Sequence, residues 1–470
     1  MNKLAIFLAV AGLFLWAVGS STSVTAGPSS TPAGSPASTS AKPFSPIVEL
    51  EQEVYTYKFA ENGSTPMWCY GNTCIVRTER GVFASGVRTL PDYKPLNNVR
   101  WMLLQGGADG WKELANGGDT HEREPCPLIC LGDGRILLST NPNSCKPDQS
   151  DGPAQPQVLQ FDASASQPAY KTLTPKWNKD LAFHAHTYRS FVADAGRQEF
   201  VLFYSIAYDK TYWTFYDKSG AWASQGEIDF PMGAEYDKPQ PLRVCYPVVQ
   251  LKDRAVHYCG VSDIVEPYKA WKDYKKQLTG KEWDYAFRRL YYTWSDDIVA
   301  GKFHSWVELA NVDKTGGSLV PCDLWVGPDG RVHILWFQQA IDEALRKEFF
   351  PDAKQSRSLN YAVLRDGQVL MRKSIQKWDE GTKGPDVSRG GRFHVTPDQR
   401  LLVVYYAGGR NRLVEINQDG SLGQPVELPL KKPLSSFFVA GPRGGSAPSM
   451  TIDMLGDADN TLRYVSIRLR

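Results

Sequence analysis

The sequence of 470 residues predicts an all-β fold, a seven-bladed β-propeller, and three observations carry that expectation. The first is a hairpin signal that recurs seven times: an apolar strand, a tight polar turn and a second apolar strand. It reads WCYGNTCIV, LICLGDGRILL, FVADAGRQEFVLF, VVQLKDRAVHY, LWVGPDGRVHILWF, FHVTPDQRLLVVYY and IDMLGDADNTLRYVSI, with turns near Gly71, Gly134, Gly196, Asp253, Gly330, Gln399 and Ala458. The second is the spacing of those turns, 57 to 77 residues, which fits a four-stranded sheet with its loops. A repeat that long, built from short strands, indicates radial blades and not a helical solenoid. The third lies at the chain ends. Only RYVSIRLR follows the last turn, and IVELEQEVYTYKF near residue 50 has the alternation needed to complete that blade. Such a closure removes exposed sheet edges.

Taken in order, the first 26 residues read as a cleaved export signal. Lys3 precedes an apolar run from Leu4 to Val18, and Val24-Thr25-Ala26 offers small residues for cleavage after Ala26. The run is short for a membrane span, so no stable membrane insertion is expected and the protein is expected to be secreted or periplasmic. Residues 27–42 are Ser, Pro, Thr and Ala with little to bury, a disordered spacer. Residues 43–470 are then one propeller, expected to be monomeric, with a helical insert at about 262–290.

Within each repeat the strand before the turn is expected innermost and the strand after it second. The outer pairs follow as QPQVLQFD with AYKTLT, YWTFYD with AWASQGEI, RLYYTWSDD with SWVELA, NYAVLRDG with VLMRKSI, and RLVEINQDG with PVELPL. Turns of this kind share one face of the disc. The opposite face carries the starts of the inner strands and the loops between second and third strands. Those loops are enlarged at residues 141–156, 261–289 and 340–358, which marks this face as a built-up mouth. In the largest, Pro267 suits a helix start and Gly280 a helix end, and Tyr268, Trp271, Tyr274 and Leu278 give one apolar face. A lid helix packed on the rim is the plainer reading; stacking of Trp271, Trp283 or Tyr285 on a sugar is the sharper one.

A net charge of +2 gives no global electrostatic argument for nucleic acid or membrane surfaces. The 14 Trp and 22 Tyr suit strands and sugar stacking alike. Eight cysteines in an exported chain suggest disulfides. Cys69 and Cys74 bracket the first turn, and Cys245 and Cys259 lie symmetrically about the fourth. Cys126 and Cys130, about 13 Å apart at strand rise, are too far apart to pair, and Cys145 could reach one of them. Cys322 is unassigned. No CxxC occurs and no His stands at ligand spacing, so no metal site is expected; a structural calcium ion in the channel is left open.

The sequence carries no HExxH, P-loop, GxSxG or CxxCH motif. Polar groups concentrate instead where inner strands begin: His121-Glu122-Arg123, His184 to Arg189, Arg243 with Tyr246, and Arg389 with Arg392. Arg123, the His184–His186 pair, Arg243 and Arg389 fall at equivalent offsets, so their side chains are expected to converge on the central channel. Converging guanidinium groups suit a carboxylate or sulfate. For any single Arg the plainer role is a bridge between blades. His257, His333 and His394 read as packed histidines. Glu122, Asp263, Glu266 and Asp284 lie on the mouth face and could supply a hydrolase pair.

The hairpin pattern, with HTYRSF opening one blade and RVCYPVV the next, resembles the BNR-repeat, sialidase-like propellers, nearest the branch of propeller-fold polysaccharide lyases. YDKSGAW and YTWSDDIVAGKFHSW keep fragments of the Asp-box. In that branch a His and a Tyr act as acid and base in β-elimination and an Arg neutralises a uronate carboxylate. The resemblance places these roles on His186 or His184, Tyr188 or Tyr246, and Arg189 or Arg243. The expected function is action on an acidic, uronate-containing polysaccharide or oligosaccharide, as a polysaccharide lyase. The alternatives are a sialidase-like glycoside hydrolase and a non-catalytic propeller binding glycan or protein. Substrate binding is expected at Arg123, Arg189, Arg243, Arg389, Trp271 and Trp283.

Overall fold

A computed structural model describes residues 44–61, 64–68, 71–162, 169–206, 208, 210–281 and 284–470, with backbone alone at 388 and 389. The expected export signal and spacer, along with Cys69 and Trp283, lie outside the described residues.

Seven antiparallel four-stranded sheets form the body of the chain. Their inner strands are Ile75–Thr78, Leu128–Cys130, Tyr188–Asp194, Val244–Lys252, Gly316–Val326, Val387–Val395 and Ser436–Val439, which begin blades 1 to 7 in that order. From blade 1 to blade 7 each inner strand contacts the next, and the ring closes where Ile75–Thr78 of blade 1 meets Thr451–Ala458, the second strand of blade 7, so the strands surround a central channel. In blade 7, Thr451–Ala458 and Thr461–Arg468 follow the inner strand, and the N-terminal strand Ile47–Thr56 pairs outermost against Thr461–Arg468. Closure by the N-terminal strand is therefore as the alternation predicts.

The core lies between blades. Val192, Val201, Phe203 and Trp213 of blade 3 pack on Val249, Leu251, Val256 and Tyr258 of blade 4, all essentially buried. Fully burying one such side chain stabilises by about 1.5–3 kcal/mol, which is why strands alternate large apolar residues toward the next blade.

Five of the seven hairpin turns fall where the pattern puts them; two do not. The blade 1 hairpin turns at Glu79-Arg80, between Ile75–Thr78 and Gly81–Thr89, and Gly71 precedes the inner strand on the mouth face. The turn at Ala458 joins the second and third strands of blade 7. Blade 7 has no tight inner turn. Residues 440–450 instead form a folded loop with a short 3-10 turn, Pro442–Gly444. From it the buried Arg443 crosses the channel. Its Nε donates to Asp323 of blade 5 at 2.7 Å, and its Nη1 to the carbonyls of Gly71 at 2.9 Å and Val249 at 3.4 Å.

The cysteine pairing is corrected. Cys74, Cys126, Cys130, Cys145, Cys245, Cys259 and Cys322 are all buried, and none of them is in a disulfide. A bulge between Cys245 and Val248 puts Cys259 opposite Val248 and Cys245 opposite Val261, so symmetry about the turn does not bring the two thiols face to face.

The enlarged loops stand on the mouth face as expected. The largest carries α1 (Lys269–Thr279), ended by Gly280 at φ +69°, and the loop of blade 5 carries α2 (Glu343–Phe349). Trp271 and Tyr274 of α1 pack on Phe349 and Phe350. Leu278 does not join them; it is exposed, and the buried position on the helix belongs to Lys275. Lys275 reaches Asp342, the N-cap of α2, at 2.7 Å, Asp284 at 2.9 Å and Glu266 at 3.3 Å.

Candidate functional site

The candidate site sits where the inner strands of blades 2, 3 and 4 open onto the mouth. Blade 3 begins at Tyr188, so residues 183–187 are not extended strand, and period-two alternation does not apply to His184 and His186. The two rings separate. His184 is half exposed, with Nδ1 3.9 Å from Asp151. His186 turns inward and meets the Tyr188 ring edge-on at 5.0 Å.

Tyr188 is the hub. It is 8% exposed, and its hydroxyl oxygen accepts a hydrogen bond from the Tyr246 hydroxyl at 3.0 Å. Its ring lies 4.8 Å from the Tyr246 ring, 6.2 Å from Trp68 and 5.4 Å from the Arg243 guanidinium. Tyr246 reaches it from the bulge at the start of blade 4, where the backbone is left-handed at φ +49°. A small pocket opens between Gly71, Asn72, Tyr188, Arg189, Tyr246 and Pro247.

The arginines differ in what they are already committed to. Arg189 is 4% exposed and pairs with Glu122 at 2.9 Å, while the same nitrogen reaches the Pro125 carbonyl at 3.2 Å. It ties blade 3 to the segment before blade 2. Arg243 is equally buried and pairs with Asp263 at 2.7 Å. Its guanidinium stacks on the Tyr208 ring at 3.9 Å, and Tyr208 shares a hydroxyl hydrogen bond with Tyr285 at 2.8 Å. Arg123 has no such partner. Its nearest carboxylate is Glu124, at 4.0 Å, its Nε has no hydrogen bond among the described residues, and its head lies 6.0 Å from the Trp68 ring. The side chain of Arg389 is outside the described positions.

Electrostatics divides the titratable groups. Burial, assisted by the positive charges of Arg123 and Arg243, holds His186 down to about 3, so the ring is neutral at ordinary pH. Its Nε2 is buried with no hydrogen-bond partner among the described residues. Burial pushes the Tyr188 phenol far up, with Tyr246 and Asp263 adding to the shift, so it keeps its proton. A neutral, uncommitted imidazole beside a phenol that cannot ionise separates a proton acceptor from a proton donor.

The four carboxylates considered for hydrolysis are all spent on cations. Glu122 serves Arg189, Asp263 serves Arg243, Glu266 serves Arg288 and Lys275, and Asp284 serves Lys275. Trp271 is packed between Tyr268, Phe350 and the Arg288 guanidinium, so it belongs to the lid. Among the described residues no group of three or more His, Cys, Asp or Glu is placed to hold a metal ion, and no helix is long and apolar enough to cross a membrane.

Sequence reasoning missed Trp68, Tyr208 and Glu124. Glu124 follows the HER triplet directly, and the approach to a strand entrance was the signal that could have found it. Tyr208 stands in a second-to-third loop too short to read as an insertion.

No protein-family model and no curated protein matches the chain in sequence, so the BNR-repeat resemblance has no family match behind it. Solved structures match in fold. A polysaccharide lyase of family PL25, an ulvan lyase bound to -[GlcA(1-4)Rha3S]-, has 9% identity and a TM-score of 0.51 over 88% of this chain and 94% of its own. The polysaccharide lyase Uly1 has 11% identity and a TM-score of 0.51, over 88% and 92% of the two chains. An α-L-arabinanase of Penicillium chrysogenum complexed with arabinobiose has 11% identity and a TM-score of 0.41, over 72% and 92%. At these identities what the two lyases share with this chain is the fold alone.

Proposed function

We propose that the mouth of this propeller binds a uronate-containing polysaccharide and cleaves it by β-elimination. One observation carries the reading: a neutral imidazole with a free ring nitrogen, His186, lies against a hydrogen-bonded phenol pair, Tyr188 and Tyr246, next to a guanidinium without a committed partner, Arg123. Elimination from a uronate needs three groups of these kinds. Arg123 would neutralise the carboxylate, so that the adjacent C5 hydrogen becomes acidic. His186 Nε2 would take that proton, the electron pair would form the C4–C5 double bond, and the C4–O bond would break. Tyr188 would protonate the leaving oxygen and be recharged by Tyr246.

Arg189 and Arg243 are each already ion-paired, with Glu122 and Asp263, so in this reading they would support the site, holding Tyr188 and the strand openings in place. A two-carboxylate hydrolase would want two uncommitted acids flanking the bond; Glu122, Asp263, Glu266 and Asp284 are all ion-paired. That the ulvan lyase of similar fold binds a glucuronate-containing repeat is consistent with the reading and does not carry it. Export is part of the proposal, since a polysaccharide of this kind is met outside the cytoplasm; a mature N-terminus at Gly27 tests it.

The experiment is incubation of the mature protein with a panel of uronate polysaccharides while ultraviolet absorbance is followed. A rise that disappears in His186→Ala supports elimination at this site. New reducing ends without absorbance would replace it with hydrolysis, and silence in both assays would favour a binding propeller.

A further inference from the structure

Beside Arg123, and unused by the mechanism above, lies a buried carboxyl group. Glu124 is 2% exposed, and both its oxygens are shut off from solvent with no hydrogen-bond partner among the described residues. Buried polar atoms are nearly always paired, so one left bare calls for an explanation. A carboxylate in that position is costly, because burial disfavours charge unless donors replace the lost water.

The charges around it balance in a definite way. Arg189 from blade 3 is paired with Glu122, and Arg243 at the start of blade 4 is paired with Asp263. Other titratable neighbours among the described residues are the thiols Cys126 and Cys245, which burial keeps protonated, and, on the Arg123 side, the His186 imidazole, which burial keeps neutral. What is left over is one cation, Arg123, and one acid, Glu124, 4.0 Å apart and without a hydrogen bond between them. An ionised Glu124 therefore compensates Arg123 while the site is empty. An arriving anion does the same job from the other side, and then meets Glu124 as a second negative charge on a single guanidinium.

We propose that Glu124 is a positioning residue for the substrate anion: it takes up one proton when an anion docks on Arg123 and releases it when the site empties. This rests on the anion-receptor role given to Arg123 above. No co-reactant is involved; the proton comes from solvent and returns to it. With Glu124 protonated, the bound anion and Arg123 form a neutral pair, and the carboxyl no longer competes for the guanidinium. Burial, partly opposed by Arg189 and Arg123, pushes Glu124 up to about 7 in the empty site, so the exchange falls at ordinary pH. Below that value the group is protonated in both states and affinity is flat. Above it, affinity falls by about tenfold per pH unit until the higher value of the occupied site is reached.

The test is calorimetric titration of the full mature protein with glucuronate at pH 8, in two buffers of different ionisation enthalpy. The wild type should take up close to one proton per bound anion. Glu124→Gln, which copies the protonated form, should bind with no uptake and with affinity independent of pH. Binding by the wild type without uptake, or uptake that persists in Glu124→Gln, overturns the proposal while leaving Arg123 as the receptor. Failure of the wild type to bind glucuronate overturns the receptor role and this inference with it. The wild-type comparison decides the matter even if the variant does not fold.

Discussion

Tyr246 donates its hydroxyl hydrogen to the hydroxyl oxygen of Tyr188 across 3.0 Å, from a backbone position held left-handed at φ +49°. A bulky residue in that region is strained, and such strain persists only where the surroundings over-determine it. Here the bulge between Cys245 and Val248 swings Tyr246 out of the ladder and over Tyr188. Because Tyr188 accepts in this bond, its own phenolic proton is not used there and stays available to another acceptor.

Removing that donor tests the arrangement. Tyr246→Phe keeps the ring stack and loses the hydroxyl. The expected result is a fall in elimination rate of about 10²-fold, with KM for the polysaccharide little changed. Tyr188→Phe should fall at least as far. Initial rates by ultraviolet absorbance check both, and an unchanged rate in Tyr188→Phe removes the phenol from the chemistry.

Acid stability follows from the buried histidines. Burial holds His186 at about 3 and His257, His333 and His394 at about 4, against 6.5 in the unfolded chain. Each is depressed, so between these values and 6.5 the unfolded state binds more protons, and stability drops as pH falls. The loss should set in as pH falls through 6.5 and continue to about pH 4 for three of the rings and about pH 3 for His186. Thermal denaturation at constant ionic strength measures it. His257→Gln, which can keep a hydrogen bond to the Tyr292 hydroxyl now 2.8 Å from Nδ1, should flatten the slope by about one proton.

The lid depends on one buried amine. Lys275 is 7% exposed at its side chain and holds Asp342, Asp284 and Glu266 together beneath α1 and α2. Lys275→Met takes the cation from Asp342 and Asp284, which keep some access to solvent, while Glu266 retains Arg288, so the cost falls below the about 3–5 kcal/mol of breaking a fully buried pair from one side. The expected outcome is a clear loss of Tm and new proteolytic cleavage within α1. Lys269→Ala, which removes an exposed pair with Asp273, should change Tm little.

Much of this could be read from residues. The hairpins at Gly134, Asp253, Gly330 and Gln399 were legible because each carries a left-handed turn position, with φ of +87°, +50°, +77° and +63°. Blade 1 hid its hairpin because the turn, Glu79-Arg80, lacks such a residue and the Gly follows it. Blade 7 hid its inner strand because a channel-crossing loop replaces the turn. In the site, offsets brought out Arg123, the His184–His186 pair, Arg243 and Arg389, and the polar strand openings and the lyase resemblance added Tyr188 and Tyr246. They could not tell which guanidinium is spent, because the acids that spend them come from elsewhere. Asp263 belongs to the loop after the second strand of blade 4, and Glu122 reaches Arg189 of blade 3 from the segment before blade 2. The thiols misled for a related reason: symmetry about a turn predicts facing residues only in a ladder without a bulge.

The close approach of Gly71 ties the fold to the site and gives the sharpest test of that link. A Cβ at this position would stand 1.9 Å from the carbonyl oxygen of Pro247 and 2.8 Å from that of Tyr246. Both are backbone atoms, so no rotamer change can relieve the clash, and the strand opening of blade 4 must move. Overpacking of this kind costs about 1–3 kcal/mol, and here the displaced segment carries Tyr246. Gly71→Ala should therefore lower Tm and also lower kcat in the fraction that remains folded. Gly445→Ala is the control. It meets the Cys130 carbonyl oxygen at 1.9 Å, from a backbone at φ +89°, in the channel-crossing loop and away from Tyr246. It should lower Tm comparably while the folded fraction keeps its kcat. Equal losses of kcat in both variants would mean that catalysis follows overall stability, and that the packing of Gly71 against Pro247 does not place the phenol pair.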